Sequence, residues 1–257
     1  MERIYDYNKI LQGILDIGEA MLFSGAEVNR VEDSMYRMCH PYGFVRCDVF
    51  TMVTNLQATI ETKDGEIITQ IRHVWKSDTN YDRLDYLNNL SRYVVAHKPG
   101  AEELHHRYLE VMERQPQPVW QRYLGGIMGG AGFSVFFGCN LMDTIVAVIA
   151  SFFVVLLGRK IAKYEGNPFV YNFVISFLVE LGIILSVHLG IGDHSGRITI
   201  GVVMLLISGL GTTNGIRDLL HKDIVSGFMN ILDSILGAGA IAMGIAFAIV
   251  ILKGVMV

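Results

Sequence analysis

Three carboxylic acids lie inside long apolar stretches of this chain, where a charged side chain is costly: Asp143, Glu180 and Asp233. A charge placed in hydrocarbon costs at least about 2.5–3.5 kcal/mol, so acids of this kind usually serve a proton, an ion or a polar solute. Glu180 lies near the middle of NFVISFLVELGIIL, with no basic residue within two helical turns. We therefore expect Glu180 to carry protons, whereas Asp143 and Asp233, near the starts of their stretches, could equally be helix caps or solvated groups.

Two polar residues, Asn172 and Ser176, precede Glu180 at intervals of four. Because residues four apart lie on one face of a helix, the three side chains should form a single polar stripe. The stripe could line a wet cavity, or it could hydrogen-bond to a neighbouring helix.

A second polar run, GLGTTNGIRDLLHKD at 209–223, contains Asn214, Arg217 and Asp218. Its glycines and hydroxyls predict unwound backbone, which in membrane transporters often lines the site for a small solute or ion. Arg217 would then meet a carboxylate on the substrate. The alternative is an ordinary loop in which Arg217 pairs with Asp218.

These residues lie in the second of two halves of the chain, which meet near Trp120. Residues 1–119 hold 13 Lys and Arg against 18 Asp and Glu, whereas residues 120–257 hold 8 against 7 in a longer stretch. The net charge of −4 therefore averages two halves that face different solvents. We expect a soluble α/β domain over 1–119 and a transmembrane domain over 120–257, so the chain is predicted to be a polytopic α-helical membrane protein.

About five spans are predicted in the second half, since a membrane-crossing helix needs about 17–25 residues. They cover 120–138, 141–157, 169–189, 198–213 and 228–252. The basic clusters at 159–163 and 217–222 predict that the loops after spans two and four are cytoplasmic. The N-terminal domain would then lie inside the plasma (inner) membrane and the C-terminus outside, and MERIYDYNKI shows no cleaved signal peptide.

The first half has the periodicity of a small mixed domain. Apolar spacing predicts helices over 5–22, 27–38, 82–96 and 101–113, and alternation predicts strands over 45–53, 56–61 and 67–75. Pro116 and Pro118 should form the linker into the membrane.

Several classes of function are disfavoured by the residue types. Three cysteines without a C-x-x-C pair argue against a disulfide framework or a structural zinc site. The acidic first half would repel nucleic acid. His105 and His106 stand among glutamates and could ligate a metal, although a solvated helix face is the simpler interpretation. The glycines of GGIMGGAG at 125–132 suit close helix packing better than dinucleotide binding. We find no catalytic constellation, and expect no enzyme activity, cofactor or metal.

Three motifs resemble the threonine/serine exporter family. They are SGAEVNRVEDSMYRMCHPYG at 24–43, FFGCNLMDTIVA at 136–147 and TNGIRDLLHKDIVSGFMNILDSILGAGAIAMG at 213–244. The resemblance covers essentially the whole chain. It departs from the family pattern at Lys222, where the family often has glycine, and at Gly209-Leu210-Gly211, where it often has a Pro-Gly step.

The resemblance implies export of threonine or serine, or of small dicarboxylates, driven by the proton gradient. It also implies that the chain is the larger subunit of a two-protein form, which needs a smaller polytopic membrane partner of about five spans and should assemble as an oligomer in the lipid bilayer. In this hypothesis Glu180 carries the proton, while Asn172, Asn214 and Arg217 contact the substrate. The alternative from another class is a membrane-anchored sensor or scaffold without transport activity.

Overall fold

The computed structural model describes residues 6–75, 79–115 and 117–256, with side chains described as far as residue 252. The chain divides into two compact units. The first contains Met1–Pro116 together with Asn214–Asn230, and the second contains Gln117–Thr213 and Ile231–Val257. Residues 214–230 thus pack with the N-terminal part of the chain.

A three-stranded antiparallel meander and four helices make up most of the first unit. The helices are α1 (Tyr7–Phe23), α2 (Val28–Cys39), α3 (Tyr81–His97) and α4 (Ala101–Met112), and the strands are β1 (Arg46–Met52), β2 (Asn55–Glu61) and β3 (Ile67–His73). β2 lies in the middle, and its alternate residues Leu56, Ala58 and Ile60 are buried against the helices. Period-two burial of this kind is what the sequence pattern predicted, and all three strands are confirmed.

α1 is the central helix of this unit, packing against β2, β3 and each of the other three helices. Its start is set by Asp6, whose carboxylate accepts a hydrogen bond from the backbone N–H of Lys9 at 3.1 Å. Large side chains on its inner face, among them Ile10, Ile14 and Met21, are fully buried. The first unit therefore has its own hydrophobic core.

The second unit is entirely helical within the residues described. Its helices are α5 (Val119–Phe136), α6 (Leu141–Ile161), α7 (Pro168–His188), α8 (Ser195–Val203), α9 (Gly209–Leu220) and α10 (Ile224–Met256). The end of α9 and the start of α10 belong to the first unit. α5 packs on α6 and α8, and α6 packs on α7. The glycine run of α5 takes part: a Cβ at Gly126 would lie 2.5 Å from Val155, and one at Gly129 would lie 2.9 Å from Leu205. The packing interpretation of this run is confirmed at these positions.

Three of the described helices are long and apolar enough to cross a membrane. They are α6, α7 and the part of α10 from Ile224 to Leu252. α5 does not reach the same hydropathy, and α8 and α9 are too short singly. Membrane character is thus supported, with three clear spans where the sequence predicted about five.

The structure shows a break in the predicted fourth span, and it shows helix where unwound backbone was expected. The chain over 198–213 is broken, because α8 ends at Val203 and α9 begins at Gly209. Most of 209–223, expected to be unwound, is helical. The hydroxyls of Thr212 and Thr213 donate to the carbonyls of Ser208 and Gly209, four residues earlier, at 3.2 and 2.8 Å. Because these hydroxyls bond to carbonyls one turn earlier, they are compatible with a helical backbone.

The turn between α9 and α10 contains Lys222 in the left-handed region, with φ of 69°. Glycine adopts this conformation without strain, so a lysine is a less favourable residue at this turn. At the α5 end, Pro118 is the residue preceding the helix, whereas Pro116 lies outside the described residues.

Candidate functional site

Glu180 lies in the middle of α7 and is 4% exposed. Its Oε2 accepts a hydrogen bond from the hydroxyl of Thr199 on α8 at 2.7 Å. Among the residues that the structure describes, no cation pairs with this carboxyl. A buried acid with a neutral partner is a group that can gain and lose a proton without breaking an ion pair.

The predicted polar stripe is divided between two neighbours of α7. Ser176 donates to the carbonyl of Asn172 at 2.8 Å, and both side chains approach glycines of α10. A Cβ at Gly237 would lie 3.2 Å from Asn172 Nδ2, and one at Gly244 would overlap Ser176 Oγ. Ser176 therefore fills a close helix crossing, while Glu180 meets α8 instead.

Asp143 is fully buried at the start of α6 and anchors the loop that follows α7. Its Oδ1 accepts from the backbone N–H groups of Asp193 and His194 at 2.7 and 3.2 Å, and its Oδ2 lies 3.0 Å from His194 Nδ1. Asn140 Nδ2 donates to Asp193 Oδ2 at 2.6 Å. Asp143 is thus a structural clamp between residues 50 positions apart in sequence.

The same three residues, Asp143, Asp193 and His194, each offer a ligand atom within 4.8 Å of the others. Two carboxylates and an imidazole are ligands that several divalent metals accept. Each group is also engaged in the hydrogen bonds just described, so the cluster is satisfied by the protein's own atoms.

Three of the predicted residues, Asn214, Arg217 and Asp218, belong to the first unit. Arg217 Nη1 donates to Glu27 Oε2 at 2.8 Å, at the start of α2. The alternative in which Arg217 pairs with Asp218 is therefore wrong. The Arg217 side chain is 52% exposed, so other guanidinium N–H groups remain open to solvent.

Asp218 is fully buried, and only one of its two carboxylate oxygens has a hydrogen-bond partner. Asn230 Nδ2 donates to its Oδ2 at 3.0 Å, while its Oδ1 is buried without a hydrogen-bond partner. Burial raises the pKa of Asp218 to about 6, and the nearby carboxylates of Asp223 and Glu27 act in the same direction. This acid is therefore expected to titrate near pH 6.

The remaining predicted residues are more ordinary. Asp233 is exposed on α10 and Asn214 is half-buried on α9. Within the described part of the chain, neither side chain makes a hydrogen bond. The eight predicted residues are thus divided between the two units, with three in the first and five in the second.

Sequence reasoning missed the partners of these acids: Thr199, Asp193, His194 and Glu27. Asp193 and His194 were visible only as polar residues in a short loop. Thr199 is a single hydroxyl in an apolar run, 19 residues from Glu180, and no local pattern pairs the two. Each partner is identified only by the tertiary fold.

Comparison with known proteins adds a family assignment. The family model described as "Putative threonine/serine exporter" (ThrE) matches residues 12–252. A curated relative named "Threonine/serine exporter", from Corynebacterium glutamicum, is 23% identical over 249 residues. That alignment covers 91% of this chain and 49% of the relative, so the chain spans about half the length of the curated relative it matches. No solved structure matches the chain significantly.

The match extends through both units, from α1 to the end of the described side chains in α10. It therefore includes the buried Glu180, the Asp143 clamp and the turn around Asp218. On this basis the chain belongs to the threonine/serine exporter family.

Proposed function

We propose that this protein is a subunit of a secondary-active exporter of threonine and serine, or of small dicarboxylates, which is driven by the proton gradient. The observation that carries the proposal is the family match over residues 12–252. The relative's name supports amino acids as the first substrates to test.

Glu180 is our candidate for the proton-carrying group. It is buried in a bundle of apolar helices and bonded to a hydroxyl instead of a cation. The Thr199 hydroxyl can donate to the ionised carboxylate and can accept from the protonated acid, so both charge states keep a partner. This is a property that a proton carrier in hydrocarbon needs.

Arg217 and Asn214 are our candidates for binding a substrate carboxylate. The guanidinium uses one N–H toward Glu27 and is otherwise half exposed. A guanidinium binds carboxylates in bidentate geometry, whichever of the proposed substrates is present. Asn172, on the α10 side of α7, completes the proposed set of polar contacts.

A smaller membrane subunit is also part of the proposal. The chain aligns with about half of its relative's length. We propose that a partner supplies the counterpart of the other half. In the most apolar 18-residue window of each clear span, only 39%, 28% and 22% of the residues are buried within the chain. Much of their apolar surface is therefore left to lipid and to partner helices.

The packing of residues 214–230 constrains the membrane topology of the chain. Residues 214–230 pack with the N-terminal part of the chain, through contacts such as Arg217 with Glu27, so both belong on one side of the membrane. The chain between them must cross an even number of times. α6 and α7 supply two crossings, so α5 and the broken α8–α9 segment both cross or neither does. In either case α10 takes the C-terminus to the opposite side, as proposed from the basic loops.

The test is flux of labelled threonine, serine and succinate in proteoliposomes under an imposed pH gradient. The protein should be reconstituted both alone and with the smaller membrane subunit that co-purifies from its native membranes. We expect partner-dependent, gradient-dependent flux of one solute. No flux with any solute, despite an assembled complex, would favour the sensor or scaffold alternative.

Two variants test the proton site within the same assay. Glu180→Gln should abolish gradient-driven flux while the protein still assembles. Thr199→Val should retain flux but shift its pH dependence, since it removes the only described partner of Glu180. Thr144→Val is the matched control, since it removes a hydroxyl that donates to the carbonyl of Asn140 just before α6. Unchanged transport by Glu180→Gln would exclude Glu180 from proton coupling.

A further inference from the structure

A groove between α2 and α3 in the first unit is lined by three arginines. Its volume is about 290 Å³, at the lower end of the range for small-molecule sites. α2 contributes Arg30, Asp33 and Arg37, and α3 contributes Asn88 and Arg92. Because Arg30 and Arg37 are seven residues apart, they lie two turns apart on the same face of α2.

The charges in this arginine groove do not balance. Asp33 is the one acid among its lining residues, and Arg37 Nε already lies 3.0 Å from its Oδ1. Within the part of the chain that the structure describes, Arg30 and Arg92 form no ion pair. Two unpaired guanidiniums thus share one concave surface, although residues 1–119 carry 18 acidic and 13 basic side chains. A local positive field on an acidic background favours an anion.

The hydrogen-bonding groups in the groove are also one-sided. The Ser34 hydroxyl donates to the Arg30 carbonyl at 2.7 Å, and the Ser91 hydroxyl donates to the Asn88 carbonyl at 2.8 Å. The protons of these two hydroxyls are donated to backbone carbonyls, so they do not point to a ligand. The donors left for a ligand are the guanidinium N–H groups and the Asn88 amide, which suit a ligand rich in acceptor oxygens.

From the volume, the charge and the excess of donors, we propose that the arginine groove binds a small oxyanion with two or more negative charges, either a phosphate ester or a di- or tricarboxylate. Guanidinium groups bind both chemistries in bidentate geometry. The proposal does not rest on the exporter function. The groove lies in the first unit, and binding of an anion to it can be measured without any transport.

The experiment is calorimetric titration of the purified full-length chain in detergent with inorganic phosphate, succinate, citrate and AMP. We expect saturable binding of at least one probe at one site per chain. Binding by phosphate and AMP alone would identify a phosphorylated ligand, and binding by succinate or citrate alone would identify a carboxylate. Failure of all four probes to saturate would overturn the proposal.

Matched variants separate a specific site from general charge attraction. The double change Arg30→Gln with Arg92→Gln should weaken binding at least tenfold, since it removes two guanidinium groups that form charge-assisted hydrogen bonds with the anion. The control, Arg46→Gln with Lys63→Gln, removes the same charge from the same unit and should change affinity less than twofold. Equal losses in both would overturn the proposal.

A conservative variant gives a readout independent of net charge and of folding. Arg30→Lys preserves the charge but loses the planar fork, so affinity should fall several-fold while the unfolding midpoint stays constant. Unchanged affinity in Arg30→Lys would mean that Arg30 acts only as a point charge, and the assigned bidentate site would be wrong.

Discussion

Replacing Asp218 with asparagine should change how the stability of the first unit depends on pH. Asp218 is fully buried, and its Oδ1 has no hydrogen-bond partner. Its pKa is raised mainly by burial, from 3.8 to about 6. The folded protein therefore holds this proton more tightly than the unfolded chain does. Stability contributed by Asp218 is complete below about pH 4 and is lost as pH rises through 6.

The magnitude follows from the gap between the two pKa values. At 1.36 kcal/mol per pKa unit, the ionised carboxylate costs about 3 kcal/mol at pH 8 and well under 1 kcal/mol at pH 4. An asparagine at this position does not titrate. Its buried amide changes the free energy of unfolding by the same amount at every pH. The quantity to follow is therefore how the difference in free energy of unfolding between variant and wild type changes with pH. We expect that difference to grow by more than about 2 kcal/mol from pH 4 to pH 8, in favour of the variant.

The assay is thermal unfolding of the purified chain across this pH range, with hydrogen exchange over residues 214–230 to localise the effect. For a unit of this size, 2 kcal/mol corresponds to a shift of roughly 8 °C in the unfolding midpoint. Asp64→Asn, which removes an exposed acid from a turn of the same unit, should show no such trend. A difference between Asp218→Asn and wild type that stays constant from pH 4 to pH 8 would refute the reasoning.

Three further predictions concern packing and ion pairs. Gly244→Ala should lower the free energy of unfolding by about 1–3 kcal/mol, because the new methyl group would overlap α7. The unfolding midpoint should fall accordingly. Gly239→Ala should cause no such loss, because the space beside Gly239 is open. Glu27→Gln should cost no more than about 1 kcal/mol, since its partner arginine is half exposed, and a double-mutant cycle with Arg217→Gln should recover that coupling. Asp143→Asn should increase hydrogen exchange in the loop at 189–194, because an amide donor replaces one of the oxygens that accept hydrogen bonds from Asp193 and His194. Unchanged protection in this loop would contradict the role of Asp143 as its anchor.

Much of the fold could be predicted because its signals are local. The strand alternation in β2 and the apolar runs of α6, α7 and α10 are properties of consecutive residues, and the structure has these elements close to their predicted bounds. The break between α8 and α9 could not be placed in this way. It falls on Met204–Ser208, which contains neither glycine nor proline, whereas the nearby glycines lie inside a helix. Tertiary packing overrides single-residue propensity at this position.

The candidate site was predictable only as a set of residue types. An acid in an apolar stretch is visible in sequence, and Glu180 and Asp143 are indeed buried. What these two acids contact depends on residues 19 to 51 positions away. Asp143 illustrates the point, since cap, solvated group and pathway acid were equally open until its bonds to Asp193 and His194 were seen. Spacing in one chain segment carries no information about such partners.

The membership of residues 214–230 in the first unit has a consequence for biosynthesis. Residues 1–116 leave the ribosome first, yet their unit is incomplete until residue 230 has been made. At about 5–20 residues per second, translation of the intervening segment takes on the order of ten seconds, during which α6 and α7 must enter the bilayer. The nascent N-terminal part waits through that interval with a surface uncovered. The first unit can therefore close only after the whole segment between its two pieces has been synthesised.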